Sequence, residues 1–163
     1  MERKIIIMEI KDKKLHRVAA TAIIHKEGRY LLLKRGLDEK AFPGKWTVPG
    51  GNMETDDYIN LPANKAGQWY NAIERSLRRE IREEANLEVD KLNYLVDITF
   101  IRPDGIPVVI LSYWADYKSG EVQAGEDNID LAWTTLAEAK DYDLIPGIWE
   151  EIEMVDKILK NTQ

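Results

Sequence analysis

The sequence predicts an α/β fold of the α+β type, a mixed central sheet with flanking helices. Two observations predict it. Runs of strand and helix character follow one another as β-β-β-α-β-β-β-α-α, without the strict βαβ alternation of a doubly wound sheet. Two segments carry helical spacing: Asn71 to about Ala85, and about Pro146 to Lys160, where Ile148, Ile152, Val155 and Ile158 or Leu159 fall at core positions. The length of 163 residues suits one domain, taken here as 1–163.

Each element has a local cause. Arg17–His25 and Tyr30–Lys34 flank Lys26-Glu27-Gly28-Arg29 and read as a β-hairpin with Gly in its turn. Trp46-Thr47-Val48 is a short strand stopped by Pro49-Gly50-Gly51. The helix from Asn71 has a candidate N-cap in Asn71 and, three residues on, Glu74 for a capping box. Lys91–Arg102 and Ile106–Lys118 are long strand-like runs joined by Pro103-Asp104-Gly105, a hairpin signal. Leu131–Thr135 is a further strand and Leu136–Lys140 a short helix. Residues 55–70 show neither period, yet carry Tyr58, Trp69 and Tyr70, so a functional loop is expected there.

Composition narrows the chemistry. The chain is 44% apolar and 32% charged, typical of a globular domain. It has no cysteine, which excludes a disulfide scaffold, a Cys nucleophile and thiolate-ligated metals. Its two histidines, His16 and His25, nearly exclude a His-rich metal site, and His25 reads as a strand-end residue. Any metal must then be held by oxygens, which favours Mg²⁺ or Mn²⁺. The net charge of −6 argues against a nucleic-acid polymer as partner. No apolar stretch approaches the ~20 residues of a membrane span, and the run in Met1–Met8 is too short for a signal peptide. A cytoplasmic protein without membrane contact is expected.

The informative stretch is Arg79-Glu80-Ile81-Arg82-Glu83-Glu84-Ala85-Asn86-Leu87. On a helix, Glu80, Glu83 and Glu84 share an arc of about 100°. They repel one another, and Glu83 and Glu84 stand in the last turn, where the helix dipole disfavours anions. A solvated charged face compensated by Arg75, Arg78, Arg79 and Arg82 is the plain reading. A divalent cation held by these oxygens would offset the repulsion.

Together with Trp46-Thr47-Val48-Pro49-Gly50-Gly51-Asn52-Met53-Glu54, this stretch resembles the signature of the Nudix hydrolases. That signature is Gly, five residues, Glu, seven residues, then Arg-Glu-apolar-any-Glu-Glu-any-Gly-apolar. Arg79, Glu80, Ile81, Glu83, Glu84 and Leu87 match its second half, and weaker resemblance runs from Arg17 to about Trp133. Three departures stand out. Counting back from Arg79 puts Asn71 where the family has the Glu that braces loop and helix; Asn86 replaces the last Gly; and 14 extra residues are placed within 55–70.

The resemblance implies an α/β/α sandwich that hydrolyses a nucleoside diphosphate linked to another group, such as a (d)NTP, by water attack on phosphorus. It implies Mg²⁺, with Mn²⁺ as substitute, on Glu80, Glu83, Glu84 and the Gly50 carbonyl, with Arg79 orienting the glutamates. Glu83, Glu84, Arg79 and Glu126 form the expected catalytic set; Glu126 is preferred to Asp127 as base. Lys34 and Arg35 are candidates for the phosphates, Phe42 and Trp69 for stacking (with Tyr70 and Tyr113 as further aromatics), and Glu54 is counted with the substrate contacts. The expected partner is a small nucleotide; a homodimer is left open. Residues 55–70 are expected either as a lid that selects substrate or as surface elaboration or a dimer contact. A binding module that senses a nucleotide without cleaving it is the other function class. A di-iron bundle is discarded, because it needs Glu-x-x-His pairs.

Overall fold

The computed structural model describes residues 10–162; the N-terminal run Met1–Met8 lies outside them. Eight strands form one mixed sheet: β1 Arg17–Lys26, β2 Arg29–Arg35, β3 Trp46–Thr47, β4 Gly50–Asn52, β5 Glu88–Val89, β6 Asn93–Ile101, β7 Pro107–Ser119 and β8 Asn128–Thr134. The helices are α1 Ala72–Ala85, α2 Leu136–Ala139 and α3 Ile148–Asn161, with a 3₁₀ turn at Thr55–Asp57. Among the described residues no helix is long and apolar enough to cross a membrane.

β1 is the centre of the sheet. On one side it pairs in parallel with β7 over its whole length, Arg17 opposite Val108 through His25 opposite Asp116. On the other it is shared between β2, at His25–Lys26, and β4, at Ala19–Thr21. β8 lies antiparallel against β2, and β6 antiparallel against β7. A strand with helices on both faces must be apolar on both, which is why 18–24 read as one continuous run.

The period of two sorts that run into two cores. Ala20, Ala22 and Ile24 pack with Leu31 and Leu33 against Leu77, Ile81 and Ala85 of α1. Ile23 packs with Tyr30, Leu32 and Val48 against Ile148, Ile152 and Val155 of α3. The result is the expected α/β/α sandwich with a mixed sheet. The two short strands β4 and β5 carry no sequence signal of their own; their two or three residues are held by β1 and β7.

Two turns match their residues. Glu27 and Gly28 both have positive φ, as a tight two-residue hairpin with the right twist requires. α1 ends at Asn86 in the left-handed region (φ 55°), whose amide donates to the Arg82 carbonyl, so Asn does there what Gly does elsewhere. The start of α1 departs from expectation. Asn71 is itself left-handed (φ 61°) and its side chain makes no cap bond, because a cap needs extended backbone at that position. Glu74 pairs with Arg78 at 3.0 Å instead of closing a capping box.

The far end of α1 is finished by the β7–β8 connection. The Gln123 amide donates to the Ala85 carbonyl at 3.2 Å, the Gly125 amide to the Glu84 carbonyl at 3.0 Å, and the Asn86 side-chain amide to the Glu121 carbonyl at 2.9 Å. The first two bonds satisfy carbonyls that a helix leaves orphaned, and together the three bring Glu126 and Asp127 beside the helix. Gly125 is needed for the approach, since a Cβ would run into the Glu83 carbonyl. Gly125→Ala is therefore expected to lift the loop off the helix end, at about 1–3 kcal/mol by the cost of unmade buried hydrogen bonds. Thermal unfolding should show a loss of roughly 2–4 °C per kcal/mol.

Candidate functional site

The site is built where the glycine loop of β4 meets the charged face of α1. The Gly50 amide donates to Glu84 Oε2 at 2.9 Å. Gly51 lies under the Glu80 carboxylate so closely that a Cβ there would occupy the carboxylate's position. Strand β4 and helix α1 are locked by the acids themselves, so the loop geometry and the carboxylates are one unit.

Arg79 is the hub of that unit. Its guanidinium donates to Asp57 Oδ1 at 2.6 Å and Oδ2 at 3.3 Å, to Glu80 Oε1 at 2.9 Å and to Glu83 Oε2 at 3.0 Å. A planar fork of donors suits this role where a lysine would not. The Asp57 side chain is only 3% exposed and also accepts from the Glu54 amide at 2.8 Å. The Arg79 hydrogen bonds first, with the Glu54 amide and the Ser76 hydroxyl, hold the Asp57 carboxyl below its ordinary range against its burial.

Asp57 was missed by counting back from Arg79, and counting forward finds it. It is the sixth residue after Gly51, the spacing of the family's bracing acid, so the extra residues fall after Asp57 and not before it. Asn71, entering α1 left-handed and exposed, has no part in the brace.

Two of the glutamates are perturbed by burial. Glu84 is pushed up to about 8, chiefly by burial, with the Glu80 charge adding to it and the Gly50 amide opposing. Glu80 is raised for the same first reason, against the pull of Arg79. No three potential ligands converge on a single point among the described residues, because Arg79 and Gly50 draw the three glutamates apart. The donor set nevertheless fits a hard divalent cation: oxygens only, on one helix face, with burial opposing the ionisation of Glu80 and Glu84.

Two spaces open from this unit. An acidic hollow of about 440 Å³ is lined by Glu80, Glu83 and Glu84 and by Gly125, Glu126 and Asp127 of the β7–β8 loop. A larger cavity of about 750 Å³ lies over the first half of β1 and β7, with Phe42 and Phe100 as aromatic walls and Arg17, Arg35, Lys40 and Arg102 as cations. Glu84 lines both. The structure thus brings together Gly50, Arg79, Glu80, Glu83, Glu84 and Glu126 on one side, and Arg35 and Phe42 on the other.

It leaves three expected substrate residues outside the cavity. Lys34 lies over the Trp46 ring at 5.9 Å and does not line the cavity, the ladder being interrupted between it and Arg35. Glu54 is engaged at the head of the 3₁₀ turn. Trp69 packs on Tyr58 with ring centroids 5.2 Å apart, and its indole donates to the Leu61 carbonyl at 2.8 Å. None of residues 55–70 lines the cavity; the segment folds on itself and touches α1 through Asp57–Arg79 and through the Tyr70 carbonyl and Arg75. His25 accepts from the Gly28 amide at 3.0 Å and pairs with Asp116 at 2.8 Å, a strand-end lock as expected. The cavity residues Arg17, Phe100 and Arg102 had no sequence signal, since their convergence depends on the register of β1, β7 and β6.

Two outcomes follow for this unit. Asp57→Asn should free Arg79 to swing off its buried partner and reduce turnover about 10–100-fold, the scale of outer partners of a ligand set, with turnover read in steady-state kinetics. The raised Glu84 sets a pH dependence in chelator: its carboxyl holds a proton in the folded chain that the unfolded chain releases near its ordinary value. Stability is then full below that value and falls as pH rises toward about 8. Glu84→Gln should remove this limb in denaturant titrations across pH.

A family model for the NUDIX domain matches residues 14–155. The nucleoside triphosphatase NudI of Klebsiella pneumoniae (strain 342) is 31% identical over 139 residues, 78% of this chain and 88% of that protein. NudI of Escherichia coli (strain K12 / DH10B) is 30% identical over 138 residues, with 78% and 88% covered. The crystal structure of a MutT NUDIX hydrolase from Burkholderia pseudomallei superposes with a TM-score of 0.67 at 27% identity, over 87% of this chain and 99% of that one. With the glycine loop, the Arg79 hub and the glutamate face in their places, the chain belongs to the Nudix hydrolase family.

Proposed function

We propose that this protein is a divalent-metal-dependent pyrophosphohydrolase of nucleoside triphosphates or close derivatives. The observation that carries the reading is the position of Glu84, which borders both the aromatic, cationic cavity and the acidic hollow. A ligand with an aromatic base at one end and a polyphosphate at the other matches that pair of spaces. The NudI relatives, nucleoside triphosphatases by name, support the substrate class.

Glu80, Glu83 and Glu84, with the Gly50 carbonyl, would hold Mg²⁺ or Mn²⁺. The ion, when bound, offsets phosphate charge and lowers the pKa of a coordinated water. The chain's own groups do the rest. Arg79 fixes Glu80 and Glu83 by hydrogen bonds at 2.9 and 3.0 Å. Arg35, held at 2.7 Å by Glu39 and donating to the Ala41 carbonyl at 2.8 Å, faces the cavity as a rigid cation for phosphate oxygens. Phe42 and Phe100 offer stacking surfaces to the base. Glu126, on the loop that caps α1, stands in the acidic hollow as acceptor for the proton of the attacking water. The reading places the protein in the cytoplasm, where such substrates occur.

The test is a panel of ribo- and deoxynucleoside triphosphates with Mg²⁺ or Mn²⁺, read by product identity. A nucleoside monophosphate plus pyrophosphate is expected, with loss of turnover in excess chelator. Glu83→Gln and Glu84→Gln should each lower kcat by ~10²-fold or more with the fold intact. Glu74→Gln, on the exposed pair with Arg78, should leave it unchanged. Nucleotide-induced stabilisation without any product would favour a sensing module instead.

A further inference from the structure

The phosphate role given to Arg35 leaves Arg17, Lys40 and Arg102, which line the same cavity, without a part in the chemistry. Strand register places two of these cations at the end of the cavity away from the glutamates. Gly50, whose amide holds Glu84, stands opposite Thr21 of β1. Arg17 begins that strand four residues earlier, about 13 Å along it. Across β7, Arg17 shares a row with Val108 and Phe100. Arg102 follows Phe100 by two residues, and all four side chains belong to the cavity wall.

Arg102 is set in place by its own turn. Its Nη2 donates to Asp104 Oδ2 at 2.8 Å, and the Ile106 amide donates to Asp104 Oδ1 at 3.3 Å. A guanidinium carries five N–H donors, and this is its one hydrogen bond among the described residues, so the rest of the fork is left for a ligand. Arg17 pairs with no acid among the described residues. The cavity wall holds four cations against Glu84 and Asp104, in a chain whose net charge is −6. A positive lining inside an acidic chain gathers anions. The 5′-polyphosphate belongs with Arg35 and the glutamate face, so a nucleoside stacked on Phe100 brings its far side to Arg17 and Arg102. A neutral base edge would meet their donors and leave two positive charges uncompensated; a carboxylate or phosphate answers both.

We propose that Arg17 and Arg102, with Lys40 from the 36–45 loop, form a second anion subsite, and that the preferred substrate is a nucleotide whose nucleoside part carries a further carboxylate or phosphate. The subsite acts in selection and not in the chemistry, which stays at the glutamate face of α1. The inference rests on the nucleotide reading above and narrows it: the aromatic walls accept any base, and the cations at the far end favour the doubly anionic ones.

The test is calorimetric titration of the full chain with Mg²⁺ and matched monophosphates. Adenosine 5′-monophosphate is set against adenosine 2′,5′- and 3′,5′-bisphosphate, and 2′-deoxycytidine 5′-monophosphate against its 5-carboxy derivative; guanosine 5′-monophosphate completes the set. The wild type should bind an anion-bearing member at least about fivefold more tightly than its partner, the scale of a partly exposed charge contact. A gain for a bisphosphate puts the second anion on the ribose, and a gain for the carboxylated nucleotide puts it on the base. Arg17→Gln and Arg102→Gln should each cut the advantage to less than about twofold. Arg35→Gln should weaken both members of a pair and keep their ratio. Lys157→Gln, an exposed cation of α3 paired with Glu153, controls for net charge and should keep the ratio too. Equal binding within every pair, a gain for guanosine 5′-monophosphate alone, or an advantage that survives in both Arg17→Gln and Arg102→Gln overturns the proposal alone. A wild-type chain that binds none of these nucleotides and hydrolyses no nucleoside triphosphate overturns the nucleotide reading with it.

Discussion

Three carboxylates stand on one face at the C-terminal end of α1, where both their mutual repulsion and the helix dipole oppose them. Everything around the site answers that constraint. Arg79 takes two of the acids, and the Gly50 amide takes the third. Arg79 is anchored in turn by Asp57, from the 3₁₀ turn that follows the glycine loop. The other side of α1 is buried through Leu77, Ile81 and Ala85, so the helix cannot rotate its acids into solvent. The β7–β8 loop binds the carbonyls of Glu84 and Ala85, closing the helix end where a cation-bearing side chain would otherwise be favoured.

The two faces of the sheet divide the work. α1 lies on one face and carries the charge; α3 lies on the other and leaves the first half of β1 and β7 uncovered, which makes the cavity. The Gly50–Asn52 strand at the edge of β1 is where the two sides communicate, since the residues on which the glutamates rest also line the cavity. An anion reaching from one side to the other passes Glu84, whose carboxyl is the most strongly raised of the site glutamates. A site of this kind is poised for charge neutralisation, because burial opposes the ionisation of Glu80 and Glu84.

The insertion after Asp57 illustrates a limit of reading aromatics in a loop as ligand contacts. Trp69 and Tyr58 pack against each other at a tilt, and the indole N–H is satisfied by a carbonyl of the same segment. An aromatic in a long loop must first pay for the order of its own segment, and here that need consumes the rings. The Asp57 brace shows the opposite case: a motif position was present all along, displaced only by the choice of which end to count from.

The strands, the two long helices and the glutamate face were legible in the chain because period and spacing are local quantities. A continuous apolar run marked β1, helical spacing marked α1 and α3, and Arg79–Leu87 marked the chemistry. Asn86 could be read as the helix end because its left-handed conformation is an intrinsic tolerance of that residue. What the chain could not disclose depends on contacts between distant segments. Gly50–Asn52 is a strand only because β1 offers it a partner, and Asn71 fails as a cap only because the insertion delivers the chain to α1 in a left-handed turn. The cavity brings Arg17, Phe42 and Arg102 together through the register of β1, β7 and β6 and the path of the 36–45 loop. Glu151 looks like one more acid on an amphipathic helix until α3 is laid on the sheet and buries it, since burial belongs to the packed pair and not to the residue.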